Sequence, residues 1–304
     1  GGARMRQRRK ILIFAAAVIL LFGTYMGLRT WNENEEEKAA KKKEAETVYL
    51  TEDAGLTEFS YSDGEQEMSF VKEEGNWYYS EDKEIPMSQD SVQAVADMIA
   101  GLTAVRELEN PDELSGYGLA EPSYMIHYEN EDGKGAEIQI GNETGDYYYA
   151  TVTPEETVYT ISSALVSSLQ FDLSGVVEND TVPSISSGNL KRVTVTENGK
   201  DTVYTDETEL GELAGGLGTL TFETCADYHA DNSALKDYGL DAESRMTVTA
   251  VYTEEDEENT FTVYIGKTDG ENRYVMKKDS KMVYEVSASI IRNMTTVEET
   301  VDEE

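Results

Sequence analysis

The spacing of apolar residues along the chain changes several times, and each change marks a predicted element. Ile11 to Leu28 is an uncharged run of eighteen residues. At about 1.5 Å per residue it covers roughly 27 Å, close to the hydrocarbon thickness of a bilayer, so it predicts one membrane-spanning helix. From Asn32 to Glu46 the chain is charged, with Glu33, Glu35, Glu36 and Glu37 followed by Lys38, Lys41, Lys42 and Lys43. Glu37 and Lys41 stand one helical turn apart, which predicts a solvated helical stalk. Short apolar runs then follow at Leu56 to Tyr61, Met68 to Val71 and Trp77 to Tyr79, separated by Asp63-Gly64 and Gly75-Asn76. This pattern predicts an antiparallel meander. After Pro86 the period lengthens: Val92, Val95, Ala96, Ile99 and Leu102 share one face of a helix that Ser88 can cap. Strands are predicted again at Tyr124 to Tyr128, Ala136 to Ile140, Tyr147 to Val152 and Thr157 to Ile161, with a short helix bearing Leu165, Val166 and Leu169 behind them.

This second set of strands occurs twice. Tyr117-Gly118-Leu119 returns as Tyr238-Gly239-Leu240, 121 positions on, and the later pairs lie 125 apart: Ile140-Gly141 with Ile265-Gly266, Tyr149 with Tyr274, Tyr159 with Tyr284. The four extra residues are assigned to a hairpin loop at the acidic run Glu254 to Glu258. In the second copy Met246, Val248, Ala250 and Tyr252 alternate along one strand and Phe261, Val263 and Ile265 along the next, before a closing helix from Ser287 to Met294. Ile185 to Thr205 supplies strands around Asn198-Gly199, and Glu207 to Gly218 a helix weakened by Gly211, Gly215 and Gly216. The predicted fold class is α+β: an N-terminal transmembrane helix, then a duplicated unit of antiparallel β-meanders, each with one or two short helices. The expected segments are a basic cytoplasmic tail (1–10), the transmembrane helix (11–28), the stalk (29–46), a first repeat (47–175), a second repeat (176–297) and an acidic tail (298–304).

Charge sharpens the topology. Arg4, Arg6, Arg8, Arg9 and Lys10 precede the apolar run, which places the N-terminus in the cytoplasm and the rest outside a single-pass cell-membrane protein. The run is longer than a signal-peptide core and lacks a good cleavage site, which favours an uncleaved anchor. The formal net charge is -36; beyond Thr30 there are 19 basic and 61 acidic residues, a balance of -42. Such a surface repels phosphate backbones, so nucleic acid is not an expected partner.

Chemistry-bearing residues are few. Cys225 is the one cysteine and reads as a small core residue; His127 lies in a strand and His229 beside Asp227 and Asp231, neither at metal-ligand spacing. No phosphate loop or nucleophile motif occurs, so no catalytic, cofactor or metal residues are expected. Glu254 to Glu258 lacks the ligand spacing of a calcium loop, leaving at most weak, nonspecific divalent-cation binding. Trp77, Tyr147 and Tyr148 are candidates for an aromatic glycan-binding surface, against the plainer reading of strand tyrosines with packed rings.

The ordered set Tyr-Gly-Leu, Ile-Gly, an aromatic strand and Val-Tyr-x-Ile/Val-Ser resembles the domain of unknown function 4340 (DUF4340) family, in two tandem copies covering most of the region beyond the stalk. The second copy departs from the first at Glu243, where Pro122 stands in the first. The resemblance implies an extracytoplasmic protein associated with ABC-2 type permeases and gliding-motility-like transport systems, and brings no catalytic residues with it. The function expected is therefore a non-enzymatic accessory that docks on an ABC-type permease/ATPase or envelope assembly; the alternative is a cell-wall or glycan adhesion module.

Overall fold

A computed structural model describes the backbone of residues 2–298 and the side chains of 21–42 and 46–298. In chain order the elements are helix α1 (Gly2–Glu46), strands β1 (Val48–Tyr49), β2 (Leu56–Ser62), β3 (Glu67–Glu73) and β4 (Asn76–Tyr79), helix α2 (Gln89–Ile99), strands β5 (Thr103–Ala104) and β6 (Arg106–Glu107), and a 3-10 turn at Leu114–Tyr117. Strands β7 (Tyr124–Asn130), β8 (Gly135–Thr144), β9 (Tyr147–Val152) and β10 (Tyr159–Ser162), helix α3 (Ala164–Ser168) and a 3-10 turn at Leu173–Gly175 follow. The remainder is β11 (Leu190–Glu197), β12 (Lys200–Tyr204), α4 (Glu207–Thr219), β13 (Thr224–Asp227), α5 (Asn232–Asp237), β14 (Met246–Glu254), β15 (Glu257–Asp269), β16 (Asn272–Lys277), β17 (Val283–Ser287) and α6 (Ala288–Thr295).

The chain forms two compact units. One holds the described residues up to Ala54 with Met98–Ser123 and Ala136–Leu165; the other holds Gly55–Asp97, Tyr124–Gly135 and the described residues from Val166 onward. In the first unit β8-β9-β10-β6 are neighbours in that order, and β1 pairs with β5. In the second, β4-β3-β2-β7 form one run and β12-β11-β14-β15-β16-β17-β13 another. The run β3-β2-β7 repeats as β12-β11-β14, and β8-β9-β10-β6 as β15-β16-β17-β13. The expected α+β class with antiparallel sheets is thus what forms, and strand order is duplicated along with sequence.

Period-2 alternation sets the cores. Phe59 and Tyr61 of β2, Phe70 of β3, and Trp77 and Tyr79 of β4 turn to one buried face. β4 ends its run, and an exposed edge invites pairing with another chain. Here the Gln89 side chain takes the place of the missing strand: the Trp77 N–H donates to its Oε1 (2.6 Å) and its Nε2 donates to the Trp77 carbonyl (2.9 Å). Ser88 starts α2 as expected, its hydroxyl accepting from the Ser91 N–H.

The acidic hairpin tip is as predicted. Glu254 faces Glu257 across β14 and β15, and Glu255 and Asp256 turn the corner at φ 50° and 65°. Their carboxylates point to solvent, where mutual repulsion is screened.

The glycines of α4 separate two roles. Gly216 is buried, and a methyl there would run into the Asn293 and Met294 backbone of α6; Gly211 and Gly215 face open space. Gly211→Ala and Gly215→Ala are each expected to stabilise the protein by about 0.5–1 kcal/mol through helix propensity. Gly216→Ala is expected to destabilise it by about 1–3 kcal/mol through overpacking. Urea denaturation curves check the pattern, and equal effects at the three sites would refute it.

The predicted transmembrane segment is helical, within α1. Among the described residues no helix is long and apolar enough to cross a membrane. Residues 11–20 of the predicted span lie outside those whose side chains are described, and the apolar run that is described, Leu21 to Leu28, is too short by itself. Most of the basic-tail and acidic-tail assignments fall on the same ground, since side chains 1–20 and residues 299–304 lie outside the described set. The two-residue strands β1, β5 and β6 carry too little pattern to be read from sequence, as does α5.

Candidate functional site

The motif residues build the same device twice. In the first copy Gly118 caps the 3-10 turn with φ 71°, a left-handed conformation that favours glycine. Across β8 and β9 the register slips: Ile140 pairs with Ala150 and Glu143 with Tyr148, leaving Gly141 and Asn142 opposite Tyr149 alone. That is a β-bulge. The Tyr117 carbonyl presses against Gly141 so closely that no Cβ fits there, and the Tyr117 ring lies 4.9 Å from that of Tyr149. Leu119 is buried behind it.

The second copy repeats each part. Gly239 has φ 68°, and the bulge sits between Ile265 and Thr268, with Gly266 and Lys267 opposite Tyr274. The Tyr238 carbonyl fills the space beside Gly266 and accepts from the Lys267 N–H at 2.9 Å, while the Tyr238 and Tyr274 rings stand 4.7 Å apart. Leu240 is buried with Ala230, Met276 and Val283. Arg273, at the position of Tyr148 in the first copy, adds two hydrogen bonds to the Gly266 carbonyl, from Nε at 3.0 Å and Nη2 at 2.5 Å. Each motif is therefore an interlock that pins a turn into a sheet. Tyr159 and Tyr284 are buried on the last strand of each copy; the Tyr284 hydroxyl accepts from the Asp180 N–H and donates to the Asp180 carboxylate. Burial holds that phenol well above its ordinary range.

The proposed aromatic platform needs correction. Trp77 is 2% exposed, with Phe59 edge-on at 5.2 Å and its indole N–H donating to Gln93 Oε1 at 2.8 Å. It presents no face to a glycan, because the period-2 alternation of β4 turns it inward. Tyr147 is exposed and Tyr148 half-buried, both on β9.

His127 is exposed on β7. His229 is more involved than its polar surroundings in sequence suggest. Its Nδ1 lies 2.6 Å from Asp82 and its Nε2 2.5 Å from Glu84, and Lys281 reaches Glu84 at 3.0 Å. The partners lie up to 197 positions apart in the chain, so spacing along the sequence carried no trace of the cluster. The hydrogen bond from His229 holds the Asp82 carboxyl below its usual range. A depressed carboxylate stabilises the fold above its unfolded pKa and loses that contribution as pH falls through the folded value. Asp82→Asn is therefore expected to lower the melting temperature at neutral pH, and the difference from the native chain should shrink as pH falls below the ordinary carboxylate range. A difference constant with pH would contradict this.

Cys225 is half-buried in the edge strand β13, not in the core, and its thiol donates to the Asp227 carbonyl at 3.2 Å. Burial pushes it up to about 11. Because the thiolate is the nucleophile, alkylation by iodoacetamide near pH 8 is expected to run about 100-fold slower in the folded chain than in urea. Comparable rates would show the site to be open.

One concavity combines aromatic and charged groups. An open cleft of about 700 Å³ is lined by Glu67, Met68, Tyr79, Phe171, Asp172 and Tyr228, with no basic side chain on its walls. The Tyr79 hydroxyl donates to Glu81 at 2.9 Å, and its phenol is pushed up to about 12, mainly by burial. Asp172 caps the Leu173–Gly175 turn by accepting from the Ser174 N–H, which keeps its carboxyl below the usual range. A second pocket of about 220 Å³ lies over β2, β3 and β7, lined by Ser60, Ser69, Ser80 and His127. Among the described residues no group of histidine, cysteine and carboxylate side chains is arranged to hold a metal ion.

Residues 77–206 and again 203–303 match the family described as domain of unknown function (DUF4340). The chain belongs to the DUF4340 family. Each DUF4340 copy contains one complete interlock, Tyr117 with Gly141 and Tyr149 in the first, Tyr238 with Gly266 and Tyr274 in the second. The motif of this DUF4340 chain is accordingly a packing device, and the cleft and the His229 cluster lie outside it. No curated protein and no solved structure matches the chain.

Proposed function

We propose that this DUF4340 chain is a membrane-anchored, extracytoplasmic and non-enzymatic accessory protein whose duplicated body docks on an ABC-type transport or envelope assembly. The observation that carries the anchoring is the surface of α1. Leu21 is 71% exposed and Trp31 64%, and Phe22, Tyr25, Met26 and Leu28 are exposed with them. Contiguous apolar surface of this kind is covered by a partner or a bilayer. The uncharged sequence from Ile11, behind the basic residues Arg4 to Lys10, favours the bilayer and a cytoplasmic N-terminus. The docking half of the reading rests on the family resemblance and on a motif that, in each copy, is spent on packing.

Crosslinking in intact membranes followed by mass spectrometry tests the reading, with the native chain beside one in which residues 11–28 are replaced by an unrelated anchor. Recovery of a permease or ATPase with both forms supports docking by the body. Recovery with the native anchor alone moves the contact into the helix, and recovery of neither removes the docking reading.

A further inference from the structure

We propose that the cleft between β3, β4, the Leu173–Gly175 turn and Tyr228 binds the cationic side chain, guanidinium or ammonium, of an extended peptide segment. Its lining supplies what such a group needs. Aromatic faces attract a cation through their quadrupoles, and the part-exposed Phe171 and Tyr228 line the cleft, with the buried Tyr79 behind them. Carboxylates give the charge-assisted acceptors, and Glu67 and Asp172 stand at the rim.

The rings are fixed before any ligand arrives. Phe171 stands edge-on to Tyr61 at 5.3 Å, and Tyr79 lies 6.0 Å from Phe70 with its hydroxyl donating to Glu81. A preformed site loses little side-chain entropy on binding. The volume of about 700 Å³ falls within the range of small-ligand sites and exceeds what a single side chain fills, leaving room for flanking backbone. Charge then chooses among ligands: a chain of net charge -36 draws cations and repels anionic polymers. A neutral sugar would stack on the rings but leave the ionised rim unused. The inference stands apart from the docking proposal, since the cleft is present however the chain is anchored.

The test uses the full-length chain in nonionic detergent at physiological salt and a fluorescein-labelled Gly-Arg-Gly-Arg-Gly peptide, read by fluorescence anisotropy. Its citrulline counterpart keeps the shape and removes the charge. The expected result is saturable binding that weakens about tenfold with citrulline and about tenfold in Glu67→Gln/Asp172→Asn. Asparagine keeps an oxygen to accept from Ser174, so the turn survives, and unchanged thermal melting of the variant verifies this. A control, Glu254→Gln/Glu255→Gln at the distant hairpin tip, should bind as the native chain does. Equal weakening in both double variants would reduce the effect to diffuse charge and overturn the site. Absence of saturation, or displacement of the peptide by chitotetraose without loss in Glu67→Gln/Asp172→Asn, would overturn it as well. Peptide binding with no permease recovered in membranes would leave the cleft standing and remove only the docking proposal.

Discussion

Trp77→Ala is expected to destabilise the protein by about 3–5 kcal/mol. Three losses combine. The indole is almost completely buried against Phe59, so its removal leaves a cavity that the surrounding sheet can fill only in part. Its N–H bond to Gln93 disappears, along with the contact that places the Lys72 ammonium 5.4 Å above the ring. The Gln89 side chain, which closes the edge of β4 through the Trp77 backbone, loses the packing that holds it. Trp77→Phe should recover more than half of the loss, because Gln93 Oε1 still accepts from Lys72 at 3.2 Å. Tyr147→Ala, at an exposed position, should change stability by less than about 1 kcal/mol. Chemical denaturation of the three variants decides; a mild Trp77→Ala would mean the ring is not where the core closes. Any loss of ligand binding in Trp77→Ala reports instability before it reports recognition.

Gly266→Ala is expected to destabilise by about 3 kcal/mol and to lower the melting temperature by roughly 10 °C. The added methyl would overlap the Tyr238 carbonyl oxygen and come 3.0 Å from Leu240 Cγ. Backbone cannot rotate away as a side chain can, so the turn must lift from the bulge, breaking the Lys267 N–H bond to Tyr238. Gly141→Ala meets the Tyr117 carbonyl in the same way and should behave alike. Gly270→Ala is a useful contrast: its φ of 57° is strained for alanine, yet nothing lies within contact distance, so its loss measures backbone strain without collision. Differential scanning calorimetry of the set separates the two terms. If Gly266→Ala falls no further than Gly270→Ala, the interlock is not a close contact.

The alternation in β2, β3, β14 and β15 was legible because one face of each is buried and one is wet, so sequence and structure share a period of two. The duplication was legible because Tyr117-Gly118-Leu119 and Tyr238-Gly239-Leu240 are each followed, 24 and 28 positions after the tyrosine, by an Ile-Gly pair, and every later match keeps one offset of 125. What the glycines do was not legible. A carbonyl pressed against Gly141 joins residues 24 positions apart, and nothing in a linear pattern marks the collision a methyl would cause. Trp77 was misplaced for a related reason: the run Trp77-Tyr78-Tyr79 is aromatic throughout, and only the register with Lys72 and Val71 decides which rings turn inward. The His229 cluster and the cleft bring together residues from β3, β4, the Phe171 region and the stretch after β13, a convergence that exists only once the chain has folded.

Helix α1 runs without interruption from Gly2 to Glu46. With Leu28 at a membrane surface, the eighteen residues from Arg29 to Glu46 would raise β1 by roughly 27 Å, and a Debye length at physiological salt is about 8 Å. The start of β1 would then stand about three screening lengths from the lipid headgroups, and the balanced charges of the helix between, with Lys41 on Glu37 and Lys38 on Glu35, would add little field of their own. On the anchoring proposed above, such a helix would act as an insulating post, holding the start of a strongly negative region away from a negative surface.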